Sequence, residues 1–534
     1  MGDTISRISA QDVKARIKDG GEFAILDARE EMTFGKRHLL LASCVPLSRL
    51  EVRVGDLVPR RDTPVVWCDD GEGIAEAAAA RMAALGYEDV SVLDGGIAAW
   101  ETAGYRIYSG VHVPSKAFAE VVEHEAATPY IDAEELKSLI DSKADIAIYD
   151  SRSYEEYNNN SIPTAISVPG AELVYRFTDL TPSPETMVIV NCGGRTRSII
   201  GAQSLINAGF RNKIVSLKDG TMAWHLAGFD VVNGATQTPP DVSDKGFDAA
   251  MSGAAKVAAL CDIPKIDAAT LDAWRGEADT KTLYVLDVRT PEEYEAGHLP
   301  DVRSAPGGQL VQETDNHIAV WGARVVLVDD NGVRATMTAS WLKQMGWTDV
   351  ATLTIDSIGG AMETGPYRPA ALGFDPSAIK TIDAAGLKAQ LDADGTVVVD
   401  FDDSRTYRAG HIPGACFSTR GRLSAALSKL PKANALVFTS SDGVLAGLAA
   451  ADAAQMTEIP VQVLAGGTDA WVDAGNALEE GPTHMVDEAD DVWLSARELG
   501  KNREEAMLEY LAWEIDLVNQ MATDDDHRFQ VATG

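Results

Sequence analysis

Short β-branched runs and helix-length apolar stretches alternate along this chain, and the alternation repeats four times. Each round opens with one phrase: Ile8-Ser9-Ala10-Gln11, Ile131-Asp132-Ala133-Glu134-Glu135, Ile266-Asp267-Ala268-Ala269 and Ile382-Asp383-Ala384-Ala385. The Ser or Asp suits a helix N-cap, and Glu135 can complete a capping box with Asp132. A strand ending in Asp follows, as Ile25-Leu26-Asp27, Ile148-Tyr149-Asp150, Val285-Leu286-Asp287 and Val398-Val399-Asp400. Next come Arg37-His38, Asn160-Ser161-Ile162-Pro163, Gly297-His298-Leu299-Pro300 and Gly410-His411-Ile412-Pro413-Gly414-Ala415. Glycine turns close the rounds at Gly95-Gly96, Asp219-Gly220, Gly359-Gly360 and Gly466-Gly467, with Trp100, Trp224 and Trp471 after three of them.

The repeat runs to roughly 110–140 residues, against about 20–50 for a solenoid, so each copy is a domain with its own core. Alternating strands and helices predict an α/β fold: four tandem domains, each a mostly parallel sheet flanked by helices, plus a C-terminal helical tail. The boundaries read as 1–110, 129–235, 259–372 and 377–482, with an extension over 483–534. Linkers are expected at 110–128 and 235–258, where Thr236-Gln237-Thr238-Pro239-Pro240-Asp241 breaks the pattern. In the extension, Leu508, Leu511, Ile515 and Val518 share one helical face, which predicts an amphipathic helix packed back on a domain.

Charge narrows the function. With 46 Lys+Arg against 81 Asp+Glu the net charge is −35, which disfavours nucleic acid and anionic membranes as partners. No apolar run is long enough to span a bilayer. The start, Met1 to Arg7, lacks a basic region followed by an apolar one, so no signal peptide is expected. The five cysteines (44, 68, 192, 261 and 416) show no paired metal-ligand spacing. The expectation is a cytoplasmic protein with reduced thiols, no metal and no cofactor.

One thiol stands out. Cys192 follows the strand Met187-Val188-Ile189-Val190-Asn191 and precedes Gly193-Gly194-Arg195-Thr196-Arg197-Ser198 and an apolar helix over 198–208. Turn amides, a helix N-terminus and two guanidiniums all favour a thiolate and an anion beside it. That is the equipment for nucleophilic attack on an anionic substrate. The other copies lack part of it. The first reads Cys68-Asp69-Asp70-Gly71-Glu72-Gly73-Ile74, an acidic loop that appears one residue longer and would repel anions, so its Cys68 is expected to be inactive. The third places Asp329 at the nucleophile position and the fourth Ser440, and both read as scaffold. Cys44, Cys261 and Cys416 read as packed residues, and His298 and His411 as structural histidines.

The Cys192-Gly-Gly-Arg-Thr-Arg-Ser loop resembles the active-site loop of the rhodanese (sulfurtransferase) family, and the Asp-x-Arg and Gly-His-Ile-Pro-Gly-Ala phrases resemble that family's other marks. The resemblance covers all four repeats. It implies that Cys192 takes the outer sulfur of thiosulfate as a persulfide, releases sulfite, and passes the sulfur to cyanide or a thiol, with a protein thiol as a further acceptor. It implies Arg195 and Arg197 as holders of the anion, Arg152 as an arginine that either faces the substrate or pins the strand end through an ion pair, and Gly193, Gly194, Thr196 and Ser198 as the rest of the binding loop. Related phosphatases and arsenate reductases use Cys-x5-Arg; here Ser198 stands at that arginine position, which favours sulfur transfer. Two other readings stay open: 3-mercaptopyruvate as the donor, and a persulfide carrier or scaffold serving a protein partner.

Overall fold

Val188, Ile189 and Val190 show how one repeat builds its layers. Val188 and Val190 enter a cluster with Leu173, Phe177 and Leu205, whereas Ile189 enters one with Ile148, Val215 and Trp224. Successive strand side chains point to opposite faces, so an unbroken apolar run is what a sheet covered on both sides needs. Each of these side chains, fully buried, contributes about 1.5–3 kcal/mol. The computed structural model describes residues 5–498 and 502–532. The first four residues, on which part of the leader expectation rests, lie outside the described residues, as do 499–501 and 533–534 of the expected extension.

Within each of the four repeats the strands pair in parallel, and Val320–Trp321 adds one antiparallel pairing to Phe23–Ala24 of the first. In the second, the strands lie in the order Tyr130–Ile131, Ile214–Leu217, Met187–Asn191, Ile146–Asp150, Ile166–Ser167. The fourth repeats it with Thr381–Ile382, Val461–Leu464, Ala435–Thr439, Thr396–Asp400, Cys416–Phe417. The third keeps Asp349–Thr354, Arg324–Asp329, Leu283–Asp287 and Arg303–Ser304 in the same order. The first runs Ser6–Ile8, Val90–Leu93, Val65–Cys68, Phe23–Asp27, with Ala42–Cys44 beside the last.

The capping phrases act as read. Ser9, Asp132, Asp267 and Asp383 each accept the amide three residues on, at 3.1, 2.8, 2.8 and 2.7 Å. Full reciprocal boxes form elsewhere, at Ser153 with Glu156 and at Thr290 with Glu293. The three tryptophans are core pieces: each indole N–H donates to the carbonyl six residues on, Arg106, Asp230 or Ala477, at 2.8–3.0 Å. His298 and His411 stack on Tyr294 and Tyr407 and hydrogen-bond those residues' carbonyls at 2.8 Å, which is a structural role.

The chain divides into two compact units. One gathers the described parts of 1–13, 25–111 and 369–494, the first and fourth repeats; the other gathers 14–24, 112–368 and the described part of 495–534. In the second unit the expected linkers contain helices, Val113–Glu125 and Asp244–Cys261, because Phe118, Val122, Ala250, Ala254 and Val257 find apolar partners there. The C-terminal helix spans Arg503–Met521, but its packed face differs from the expected one. Met507, Leu511, Glu514, Leu517 and Met521 are buried, while Leu508 and Ile515 are 58% and 46% exposed. A polar residue, Glu514, lies at the centre of the packed face because it has partners on the loop described next. Among the described residues no helix is long and apolar enough to cross a membrane.

Candidate active site

The strand Met187–Asn191, central in its sheet, delivers Cys192 at its C-terminal end, and the helix Thr196–Asn207 carries the backbone away. Between them the loop is held by the next turn: the Thr221 amide donates to the Cys192 carbonyl at 2.9 Å. A Cβ on Gly220, which sits at φ +56°, would strike the Cys192 carbonyl, so only glycine lets the two segments close.

These contacts give the register of the other loops. The Cys192 carbonyl is matched by those of Asp69, which accepts from Ile97 at 2.9 Å, and Ser440, which accepts from Thr468 at 3.0 Å. One residue earlier, Cys68, Asn191, Val328 and Thr439 accept from Ala28, Ser151, Val288 and Phe401. The reading of Cys68 as the counterpart of Cys192 is therefore corrected. Cys68 is the counterpart of Asn191, and its buried thiol faces Asp27 at 3.8 Å much as Asn191 donates to Asp150 at 3.0 Å. Asp69 occupies the nucleophile position, and this is why the first loop looked one residue too long. Burial, then the Asp27 charge, push the Cys68 thiol far above its ordinary value. A Cys68→Ser chain should load sulfur at the wild-type rate, read by intact mass after a sulfur donor; a measurable drop would contradict this register.

In the first domain the Asp69 carboxylate accepts the amides of Gly71, Ile74 and Ala75 at 2.8–3.0 Å. In the third, Asp329 accepts those of Gly332 and Ala335 at 2.5 and 3.0 Å. In the fourth, Ser440 accepts from Ala446 at 3.3 Å. The loop is thus a host for an anion, and in two domains the chain supplies its own. In the second domain the same position holds a thiol, with its Sγ 3.5 Å from the Ser198 hydroxyl.

Cys192 is 2% exposed. Burial raises its pKa above the ordinary value, against the opposing charge of Arg197 and the hydrogen bonds of Ser198. The expected low-pKa thiol is not found, because the desolvation of a closed pocket outweighs one guanidinium.

The arginines divide sharply. Arg152 grips Asp150 through two hydrogen bonds of 2.9 and 2.7 Å and donates to the Asn160 carbonyl at 2.5 Å. Arg29 and Arg289 make the same brace with Asp27 and Asp287 in domains without a nucleophilic thiol. Arg195 is buried among Glu120, Glu123 and Asp219, with its Nε 2.7 Å from Glu120 and Nη1 2.8 Å from Asp219. Arg197 meets Glu156 at 2.5 and 2.8 Å and Gln309 at 3.0 Å, and remains close enough for the Cys192 charge to act on it. Burial would raise the Glu156 carboxyl, but Arg197 holds it at about 2. Arg334 stands at the position of Arg197 in the third domain, bonded to Glu293 and to Glu172 of the second.

Three groups on the C-terminal segment also line the site, and no repeat pattern points to them. Arg497 donates through Nη2 to the Gly193 carbonyl at 2.7 Å and to the Thr221 hydroxyl, and through Nη1 to Asn160 at 3.1 Å. Glu514 lies against Gly194 and accepts from Thr196 at 3.3 Å and from Tyr510 at 2.9 Å. Burial keeps the Glu514 carboxyl above its usual range and the Tyr510 phenol well above its own.

Comparison with known proteins gives a consistent set of likenesses. The family description "Rhodanese-like domain" matches residues 9–103, 132–227, 267–355 and 383–474. A solved thiosulfate sulfurtransferase from Pseudomonas aeruginosa is 46% identical, with a TM-score of 0.93, over 99% of this chain and 100% of its own. Among curated proteins, "Putative sulfur carrier protein YrkF" of Bacillus subtilis is 29% identical over 19% of this chain. An HTH-type transcriptional regulator of Mycobacterium tuberculosis is 32% identical over 17%. The alignments span 54% and 39% of those two curated relatives' own length.

Proposed function

The chain belongs to the rhodanese family, and we propose that its second domain is the working sulfurtransferase centre, taking the outer sulfur of thiosulfate onto Cys192. The Cys192 thiolate attacks the outer sulfur, a new S–S bond forms, and the bond within thiosulfate breaks with its electron pair leaving on sulfite. Cyanide or a thiolate then attacks the terminal sulfur of the persulfide, and the Cys192 thiolate is restored. Among the described residues the Cys192 Sγ hydrogen-bonds the Ser198 hydroxyl and no side-chain base, so its thiolate fraction governs the loading rate.

One observation carries the reading. The loop that closes on the Asp69 and Asp329 carboxylates in the sister domains presents, in the second domain, a thiol at its first position. By the same register the amides of Gly194, Arg195, Arg197 and Ser198 supply the cradle, and the Arg197 side chain supplies charge beside it. Arg152 and Arg195 hold the cradle's frame through Asp150 and Glu120. The likeness to the Pseudomonas thiosulfate sulfurtransferase over the full chain supports the choice of donor. The burial of Cys192 favours a small acceptor over a protein thiol. The expected acceptors are cyanide and small thiols.

The direct test is intact mass after thiosulfate, before and after cyanide. One added sulfur that cyanide removes, with thiocyanate appearing, is the expected result. No added sulfur on the wild-type chain would move the donor to 3-mercaptopyruvate or the role to a carrier. A second expectation follows from the raised thiol pKa. Below its pKa a thiol gains about tenfold in thiolate per pH unit. Alkylation of Cys192 by iodoacetamide should therefore climb through pH 7–9 without levelling, and a plateau below pH 8 would contradict the effect assigned to burial.

A further inference from the structure

Three of the four arginines around Cys192 spend their charge on carboxylates: Arg152 on Asp150, Arg195 on Glu120, Glu123 and Asp219, and Arg197 on Glu156. The fourth does not. The hydrogen bonds of Arg497 go to neutral acceptors, namely the Gly193 carbonyl, the Thr221 hydroxyl and the Asn160 side-chain oxygen. Its guanidinium sits against the residue next to the nucleophile, and a Cβ on Gly193 would lie 3.6 Å from Nη2. In a chain of net charge −35 carboxylates are abundant, yet among the described residues none hydrogen-bonds Arg497, and the charges of Glu156 and Asp150 reach it only from a distance.

We infer that Arg497, carried by the C-terminal segment and not by the thiol's own domain, is a donor-binding residue that gives this site its preference for a doubly charged sulfur donor. The inference rests on the sulfurtransferase reading above. A half-buried cation with no carboxylate in hydrogen-bond contact is under-compensated until an anion arrives, and the anion's arrival then returns that energy as binding. Burial, and next the charge of Arg152, lower the Arg497 pKa to about 10, which still leaves the group protonated at neutral pH. Its position is fixed from both sides. Ala496 packs with Met222, Met507 and Leu511, and Glu514 on the same segment binds Thr196 of the loop. Arg497 thus comes to the loop on a framed element. With both Nη2 hydrogens and one on Nη1 given to the Gly193, Thr221 and Asn160 acceptors, Nε–H and the second Nη1–H remain, together with the positive charge, to meet the oxygens of a sulfonate-like SO3 end.

Sulfite, the anion released on loading, is the probe that separates binding from turnover. Calorimetry of sulfite with the unloaded full-length chain should show Kd at least tenfold weaker in Arg497→Ala, with Arg497→Lys in between. In steady state, Arg497→Ala should raise KM for thiosulfate at least tenfold and change kcat less than threefold. KM for the singly charged donor 3-mercaptopyruvate should move much less, so the ratio of the two donors' kcat/KM falls about tenfold. A purely structural Arg497 would instead lower the melting temperature and depress both donors alike. Equal sulfite affinity in wild type and a folded Arg497→Ala chain, or no sulfite binding at all, would overturn the inference. If the wild type binds sulfite through Arg497 yet takes no sulfur from thiosulfate, the donor reading fails and the anion site stands.

Discussion

Replacing Cys192 with Ser should abolish sulfur loading: no added sulfur by intact mass and thiocyanate formation reduced at least a thousandfold. A serine hydroxyl in the same position has no base to take its proton, and its oxygen cannot hold a transferable sulfane sulfur. The substitution is nearly isosteric in a closed pocket, and Ser440 already occupies the equivalent position of the fourth domain, so the chain should fold normally. The melting temperature of Cys192→Ser should stay within a few degrees of the wild type. Residual loading above one part in a thousand would place the sulfur on another of the free cysteines, which Cys44→Ser, Cys68→Ser, Cys261→Ser and Cys416→Ser would then locate.

Arg195→Ala should damage stability more than chemistry. Arg195 is buried, and Glu120 beside it is buried too, already pushed up to about 7 by desolvation despite its bidentate partner. Removing the guanidinium leaves Glu120, Glu123 and Asp219 facing one another without a counter-charge. Breaking a buried pair in this way costs about 3–5 kcal/mol. The loss should depend on pH in a defined direction. Glu120 titrates higher in the folded chain than in the unfolded one, so its contribution is most favourable below about pH 4.5 and declines as pH rises through about 7. In Arg195→Ala the folded value rises further, and the deficit in urea-unfolding free energy should be clearly smaller at pH 5 than at pH 8. A deficit equal at both pH values would mean that Glu120 is not the group left exposed to the change.

Sequence alone disclosed the fourfold repeat, the parallel α/β layers and the thiol loop, because these are local features. A strand with both faces buried, a cap three residues from its amide, and a thiol between a strand and a helix all leave marks within a few residues. Pairings between distant segments leave no such mark. Arg195 reads as a substrate ligand from the loop alone, and its carboxylates Glu120 and Glu123 lie over 70 residues upstream on a helix that reads as a linker. Cys68 reads as an inactive counterpart of Cys192 because it is the cysteine nearest the loop; only the carbonyl partners of the neighbouring turns show that Asp69 holds the position. The C-terminal helix was visible, but its buried face was not. Apolar spacing favoured Leu508 and Ile515, whereas the packed face is chosen by Glu514 and what it touches on Gly194 and Thr196. Arg497 lies beyond the repeats, where comparison among the four copies has nothing to compare.

The contact between Arg497 and Gly193 joins positions 304 residues apart. A ribosome adds about 5–20 residues per second, so about 15–60 s pass between the emergence of the thiol loop and that of the arginine that closes over it. During this interval the second domain can fold around a complete nucleophile and an incomplete anion site. If Arg497 holds the donor as inferred above, the growing chain carries a thiol poorly supplied with donor until synthesis reaches the C-terminal segment.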